Sequence, residues 1–244
     1  MTGLRNASGS TTPGSAAGGE RESGGPVLNR AFLVLILVTM VLGGRAVAAQ
    51  VTQRQSPQSA SEYIKALEDP EREKWQQPEA VIDSLELRLG DEVVDLGAGS
   101  GYFTVRLAQE VGPAGKVYAV DIDPQMLAYI DRRVEEEKLD NVQTILADPH
   151  DPKLGSSSVD MIFMCNVLHH ISDRDKYYPL LARALRPAGR LVDIDFRPGK
   201  LPCGPSVEVK VAKKAVIKEV EPFGFRLVKE LDFLKYQYFL IFER

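Results

Sequence analysis

The sequence predicts an α/β domain, a doubly wound and mostly parallel sheet with helices on both faces, behind an N-terminal segment of different character. Three observations predict it. Short Val- and Ile-rich runs alternate with stretches of helical periodicity, as expected of parallel strands buried on both faces. Val93-Val94-Asp95-Leu96 runs straight into Gly97-Ala98-Gly99-Ser100-Gly101, a buried strand entering a turn where the backbone bends sharply and comes close to a ligand, both of which glycine permits. Near the C-terminus, Phe225–Leu231 and Tyr238–Phe242 are two strand-like runs joined by a short connection.

Taken in order, residues 1–30 are expected to be disordered, Met1 to Gly25 being rich in Gly, Ser and Thr without hydrophobic periodicity. Arg30, the apolar or small run Ala31 to Gly44, and Ala46-Val47-Ala48-Ala49 make residues 31–49 a secretory signal peptide, with a basic residue, a short apolar core and an A-x-A-like end. The run falls short of the roughly 18 residues of a spanning helix. Extended from Val27 to Ala49 it takes in only Asn29, Arg30 and Arg45, so an uncleaved signal anchor is the second reading, with the arginines snorkelling to the interface. The expectation is a membrane-associated or exported protein. Residues 50–74 read as a linker with an N-terminal helix, and 75–244 as the main domain. Trp75 reads as a packing anchor or part of a lid.

Tyr102 to Val111 reads as the helix after the glycine turn, its first N–H groups available to a polar ligand. Lys116 to Val120 is the second strand and Asp121 ends it. A doubly wound fold places an acidic residue about 20 residues past the glycines to hold ribose hydroxyls, and a carboxylate accepts from both at once. Asp123-Pro124 reads as N-cap and first residue of the next helix. Val142 to Leu146 is the third strand, ending at Ala147-Asp148 and the turn formers Pro149-His150-Asp151-Pro152. Asp160 to Asn166 is the fourth, followed by Val167-Leu168-His169-His170-Ile171. Arg183 to Leu191 leads through Pro187-Ala188-Gly189 into the fifth. Lys210, Lys213, Lys214 and Lys218 form the solvated face of a helix whose other side carries Val209, Ala212, Val216 and Val220.

A dinucleotide fingerprint needs G-x-G-x-x-G, and its third glycine would fall at Tyr102. The chain instead has Asp95-x-Gly97-x-Gly99-x-Gly101, which resembles motif I of the class I S-adenosylmethionine (SAM)-dependent methyltransferases. Val-Tyr-Ala-Val-Asp121-Ile122 resembles motif II, Val167 to Ile171 resembles the VLHH segment of many small-molecule members, and Arg183 to Leu191 resembles the R-L-K-P-G-G turn, with Ala188 for the first glycine and Arg186 for lysine. The resemblance covers Trp75 to Arg197. It implies a Rossmann-like seven-stranded sheet of order 3-2-1-4-5-7-6 with the last strand antiparallel, and SAM as cofactor. It further implies that Gly97, Gly99 and Gly101 shape the loop beneath the cofactor, that Asp121 takes the ribose and that Ile122 packs on the adenine. Asp148 would receive the adenine amino group. Asn166 would touch the methionine part or the substrate, and Asp95 would fix the loop or reach the methionine amino group through water. The R-L-K-P-G-G-like turn is expected to tolerate its two replacements.

Methyl transfer asks the protein to align a nucleophile with the S–CH3 bond and exclude water. Where the nucleophile is a hydroxyl, a base helps, and His170 and His169, just past strand four, are the candidates, with His170 slightly favoured. The acceptor pocket is expected from Ser61–Leu67, the region around Trp75, and Arg197–Val211, where the absence of a large insertion suggests a small or lipidic acceptor. Two other readings stand beside an active methyltransferase: a binding protein that keeps the fold, and a nicotinamide-dependent oxidoreductase, against which Tyr102 and the C-terminal hairpin count.

The net charge is −4. Residues 1–49 hold four Arg and two Glu, so the remainder carries −6, a poor balance for nucleic acid, whose binding is dominated by phosphate contacts. Asn166 begins no N-P-P-Y motif. Cys165 and Cys203 show no C-x-x-C spacing and read as free thiols with no metal site.

Overall fold

The computed structural model describes residues 59–244. The disorder expected over residues 1–30 and the signal peptide or anchor expected over 31–49 lie outside them. Among the described residues, no helix is long and apolar enough to cross a membrane.

Seven strands form one sheet in the order β3-β2-β1-β4-β5-β7-β6, the order expected: β1 (Glu92–Leu96), β2 (Lys116–Asp121), β3 (Val142–Leu146), β4 (Val159–Cys165), β5 (Leu185–Phe196), β6 (Arg226–Leu231) and β7 (Gln237–Glu243). The first five pair in parallel, and β7 runs antiparallel between β5 and β6. Helices α1 (Ala60–Leu67), α2 (Glu71–Gln76) and α3 (Pro78–Leu85) precede the sheet; α4 (Thr104–Val111), α5 (Pro124–Glu136), α6 (Arg174–Ala184) and α7 (Lys213–Val220) connect its strands.

The alternation of side chains along a strand sorts the core into two layers. Val93, Met161, Phe163, Val192 and Ile194 face α3 and α4. Val94, Ile162, Met164 and Leu191 face α6 and α7. All nine are essentially inaccessible, which is why these strands carry apolar residues at consecutive positions. The sheet brings the ends of β1, β2 and β4 together at one edge, so the three loops after them meet there.

Several expectations need correction. The helix after the glycine turn starts at Thr104, because positive φ angles at Gly97, Gly99 and Gly101 keep the chain turning until Phe103. The helix of the lysine face starts at Lys213. Lys210 lies before it and donates to Gly199 O at 2.8 Å, while Val216 and Val220 are buried as expected. The boundary expected at 74/75 falls inside α2, whose Arg72 and Gln76 are buried against the domain. Ala188 is not a neutral replacement for glycine: its φ is +61°, left-handed backbone that costs an L-residue roughly 1–2 kcal/mol. Arg186 does suit its place, pairing with Asp160 at 2.6 Å and Glu92 at 3.0 Å and tying the start of β4 to β1. Asp123 caps α5 as expected, accepting from Gln125 N at 2.8 Å.

Candidate active site

The ends of β1, β2 and β4 open into a cavity of about 320 Å3, within the range of small-molecule sites (roughly 300–1,000 Å3). Gly97 and Gly99 form its floor. A Cβ on Gly97 would stand 2.5 Å from Val167 Cγ2, so the tip of β1 and the turn after β4 can meet only without a side chain there. A Cβ on Gly99 would meet Leu67 Cδ1 at 3.0 Å, so the end of α1 rests on the loop. Gly101 does not line the cavity; it makes room for Ile130 of α5, 3.0 Å from where its Cβ would be.

At one end stand Asp121, Ile122 and Asp148. Asp121 Oδ2 accepts from Gly99 N at 2.8 Å and Oδ1 from Asp123 N at 3.0 Å, which fixes the carboxylate at the end of β2. Burial raises its pKa, and the backbone donors of Asp123, Gly99 and Ile122 oppose the rise. Ile122 is 58% exposed, an apolar surface on the rim left largely open by the described residues. Asp148 Oδ1 accepts from His150 N at 3.0 Å, and the turn is closed by paired backbone bonds between Asp148 and Asp151.

At the other end stand Asp95, Arg72, Tyr102 and Cys165. Asp95 is buried, accepts from Thr104 Oγ1 at 2.6 Å, and has its pKa raised to about 6, burial being the first cause. The bond to Thr104 ties the end of β1 to the start of α4. The Cys165 thiol is pushed up to about 12 by burial and stays protonated near neutral pH. Tyr63, Leu67 and Arg72 bring α1 and α2 over the same cavity. Glu68, just past α1, accepts from Ser100 Oγ at 2.6 Å and Arg133 Nη1 at 2.8 Å, holding this N-terminal cover to the glycine loop and to α5.

The two histidines go separate ways. Leu168–His170 is one turn of 3-10 helix. It directs His169 inward, where Nδ1 lies 2.8 and 2.9 Å from the two oxygens of Asp195 and the side chain is only 3% exposed. His169 does not line the cavity; His170 does. The expected pair of candidate bases thus reduces to His170, whose ring centroid lies 4.1 Å from that of His169. Asn166 lines the cavity with a φ of +63°. Its Oδ1 accepts from Gln237 Nε2 at 2.6 Å, and Gln237 Oε1 accepts from the buried Gln76 at 2.9 Å, so a relay of amides runs from α2 through β7 to the tip of β4. Trp75 packs against Phe196 and Tyr236, with centroids 5.7 and 6.4 Å away. It is an anchor for α2 and does not line the cavity.

Of the expected cofactor residues, Asp95, Gly97, Gly99, Asp121, Ile122, Asp148 and Asn166 meet around one cavity. The donor set suits SAM chemically: a carboxylate fits vicinal hydroxyls, the bare apolar rim fits a planar base, and a buried acid and guanidinium fit the ends of a zwitterion. A sheet of this order with this loop at its edge defines the Rossmann-like methyltransferase class. A family model described as a methyltransferase domain matches residues 87–223, more than half of the chain, and the chain belongs to the SAM-dependent methyltransferases. Among solved structures it is similar to a SAM-dependent methyltransferase from Aquifex aeolicus, with 30% identity, a TM-score of 0.71, and coverage of 76% of this chain and 98% of that one. Among curated proteins it is similar to the ubiquinone/menaquinone biosynthesis C-methyltransferase UbiE of Pasteurella multocida, 33% identical over 121 residues, covering 47% of this chain and 43% of that protein. It is likewise 36% identical over 112 residues to an uncharacterised 37.1 kDa protein of transposon Tn4556 from Streptomyces fradiae, covering 46% of this chain and 32% of that protein. The chain thus spans less than half the length of these curated relatives.

Proposed function

We propose that this chain transfers the methyl group of SAM to a small-molecule or lipidic acceptor that reaches the cavity beside Asn166 and His170. The observation that carries the reading is the convergence of the glycine loop, the strand-end carboxylate of Asp121 and His170 on one cavity. Asp121 holds the ribose hydroxyls, Ile122 and Asp148 receive the adenine, and the Gly97–Gly99 backbone lies under the chain that joins ribose to amino acid. When bound, the cofactor supplies an electrophilic methyl group on a positively charged sulfur.

The protein's own work is alignment and exclusion of water. Asn166 is held by Gln237 and so presents a fixed amide N–H2 to the acceptor or the cofactor. His170 takes the proton where the accepting atom is a hydroxyl oxygen or an acidic ring carbon, a task suited to an imidazole near neutral pH. His169, locked on Asp195, supports the turn that carries His170. The UbiE relative makes the carbon of a quinone precursor ring the first acceptor class to try, and a lipidic acceptor agrees with export or tethering through residues 31–49.

The test is transfer of labelled methyl from SAM by the full chain to a panel of quinols, phenols and amines, with the His170→Ala variant alongside. A labelled product formed by the wild type and strongly reduced in the variant is the expected result. Binding of S-adenosylhomocysteine with no labelled product from any acceptor would replace the enzyme by a cofactor-binding protein on the same fold.

A further inference from the structure

We infer that Arg72 of α2 is the carboxylate-binding residue of the cofactor site, its guanidinium taking the α-carboxylate of the methionine moiety. The assignment rests on the SAM reading of the cavity and extends it to a residue outside every motif of the sequence.

The guanidinium is 3.9 Å from the Tyr102 ring centroid, and Nη1 donates to Leu67 O at 2.9 Å. The residue is only 8% exposed, and Nε is buried with no hydrogen-bond partner. Among the described residues no carboxylate pairs with it. Arg106, whose guanidinium lies 4.5 Å from the same ring, shows the contrast. It is neutralised by Glu79 at 3.1 Å and Glu73 at 3.4 Å. A buried cation without a counter-ion is costly unless something supplies the anion. Arg72 lines the cavity, beside Asp95 and Tyr102 and in the same wall as the glycine loop. Its charge is felt by Tyr63, Asp95, Tyr102 and Cys165, all of which line that cavity.

The planar guanidinium fork matches a carboxylate in two-point geometry, and the amino-acid end of the cofactor carries one. Asp95 then stands available to the ammonium of the same zwitterion. Glutamine or lysine in place of Arg72 would not reproduce both the ring stacking and the fork.

The test compares ligands that share adenosine and sulfur but differ in the amino-acid end. Calorimetric titration of the full chain uses S-adenosylhomocysteine, its decarboxylated thioether and 5′-methylthioadenosine. The wild type is expected to bind S-adenosylhomocysteine about 100-fold more tightly than the decarboxylated compound. Arg72→Gln is expected to lose about that factor for S-adenosylhomocysteine while binding methylthioadenosine within about threefold of wild type. Arg72→Lys should recover part of the loss.

Equal affinity of the wild type for the first two ligands overturns the assignment, and that arm holds even where a variant fails to fold. So does a variant, folded by its thermal melt, that weakens S-adenosylhomocysteine and methylthioadenosine alike, the signature of a purely structural arginine. A wild type that binds none of the three ligands takes down the cofactor reading itself.

Discussion

The two ends of the cavity are built on different plans. At the end proposed for adenosine, the lining residues sit at the tips of strands: Asp121 closes β2, Asp148 follows β3, and Ile122 stands 58% exposed on the rim. At the end proposed for the amino acid, Asp95 is 3% and Arg72 8% exposed, and the charged groups sit inside the protein, held by Thr104, Leu67 and Tyr102. The open end requires little of the free protein, because its groups stay hydrated or bonded to backbone. The closed end keeps charges out of water before any ligand arrives, and binding relieves that state. Strand register alone places the first, whereas the second depends on α2 docking against the glycine turn and α4.

The largest effect expected of any single change is at the open end. Asp121→Ala removes the ribose acceptor and the clasp on Gly99, and should weaken S-adenosylhomocysteine and methylthioadenosine alike by about 100-fold or more. Titration of both ligands checks it, and undiminished binding of either would dissolve the distinction between the ends.

The histidines come next. His169→Ala takes the imidazole from the buried Asp195 carboxylate, which keeps only its backbone donors His169 N and Phe196 N, and should cost about 1–3 kcal/mol of stability, read from the denaturation midpoint. His170→Ala should cost less stability than that and lower turnover by roughly 100-fold. The reverse outcome would exchange the roles assigned to the two.

The closed end can be sharpened by pH. Asp95 has a pKa raised to about 6 in the cofactor-free fold, with burial first among the causes, Thr104 and Arg72 acting to lower it and Asp121 to raise it. Its contribution to stability is therefore fully present below the unfolded value of about 4 and declines as pH rises to about 6. Cofactor binding runs the other way, because the ionised carboxylate is the form that suits an ammonium. S-adenosylhomocysteine affinity should rise about tenfold between pH 5 and 7, and the rise should vanish in Asp95→Asn. A flat wild-type profile would remove the carboxylate from the ligand's recognition.

The smallest expected effect lies far from either end and serves as the control. Ala188→Gly relieves the left-handed strain and should stabilise the fold by about 1 kcal/mol, with ligand affinity unchanged. An unaltered urea midpoint would show that the strain is relieved by another route.

The same contrast explains what the sequence reveals. β3 falls at the residues expected, and β1, β2 and β4 within one of theirs, because a Val-rich run bounded by glycine or aspartate is encoded locally. Asp121 follows from its distance to the glycines. Arg72 is invisible by such means. It sits in Asp69-Pro70-Glu71-Arg72-Glu73-Lys74, a charge run that reads as a solvated helix, and only contact with Tyr102, thirty residues on, buries it. Gln76 and Gln237 stand 161 positions apart, and no periodicity links them. The histidines are neighbours whose opposite fates turn on a three-residue 3-10 turn and on Asp195, 26 residues past His169.

The place of β7 has a consequence for how the chain comes into being. It is made after β6, yet it occupies the slot between β5 and β6, and Tyr238 to Phe242 are all buried. Among the described residues β6 has no other neighbour in the sheet. On the ribosome, β6 emerges with nowhere to pair and β5 with one edge bare, until the chain has run through Glu243. Such unpaired edges invite aggregation, so the nascent chain is most dependent on chaperones in the interval between finishing β5 and releasing β7.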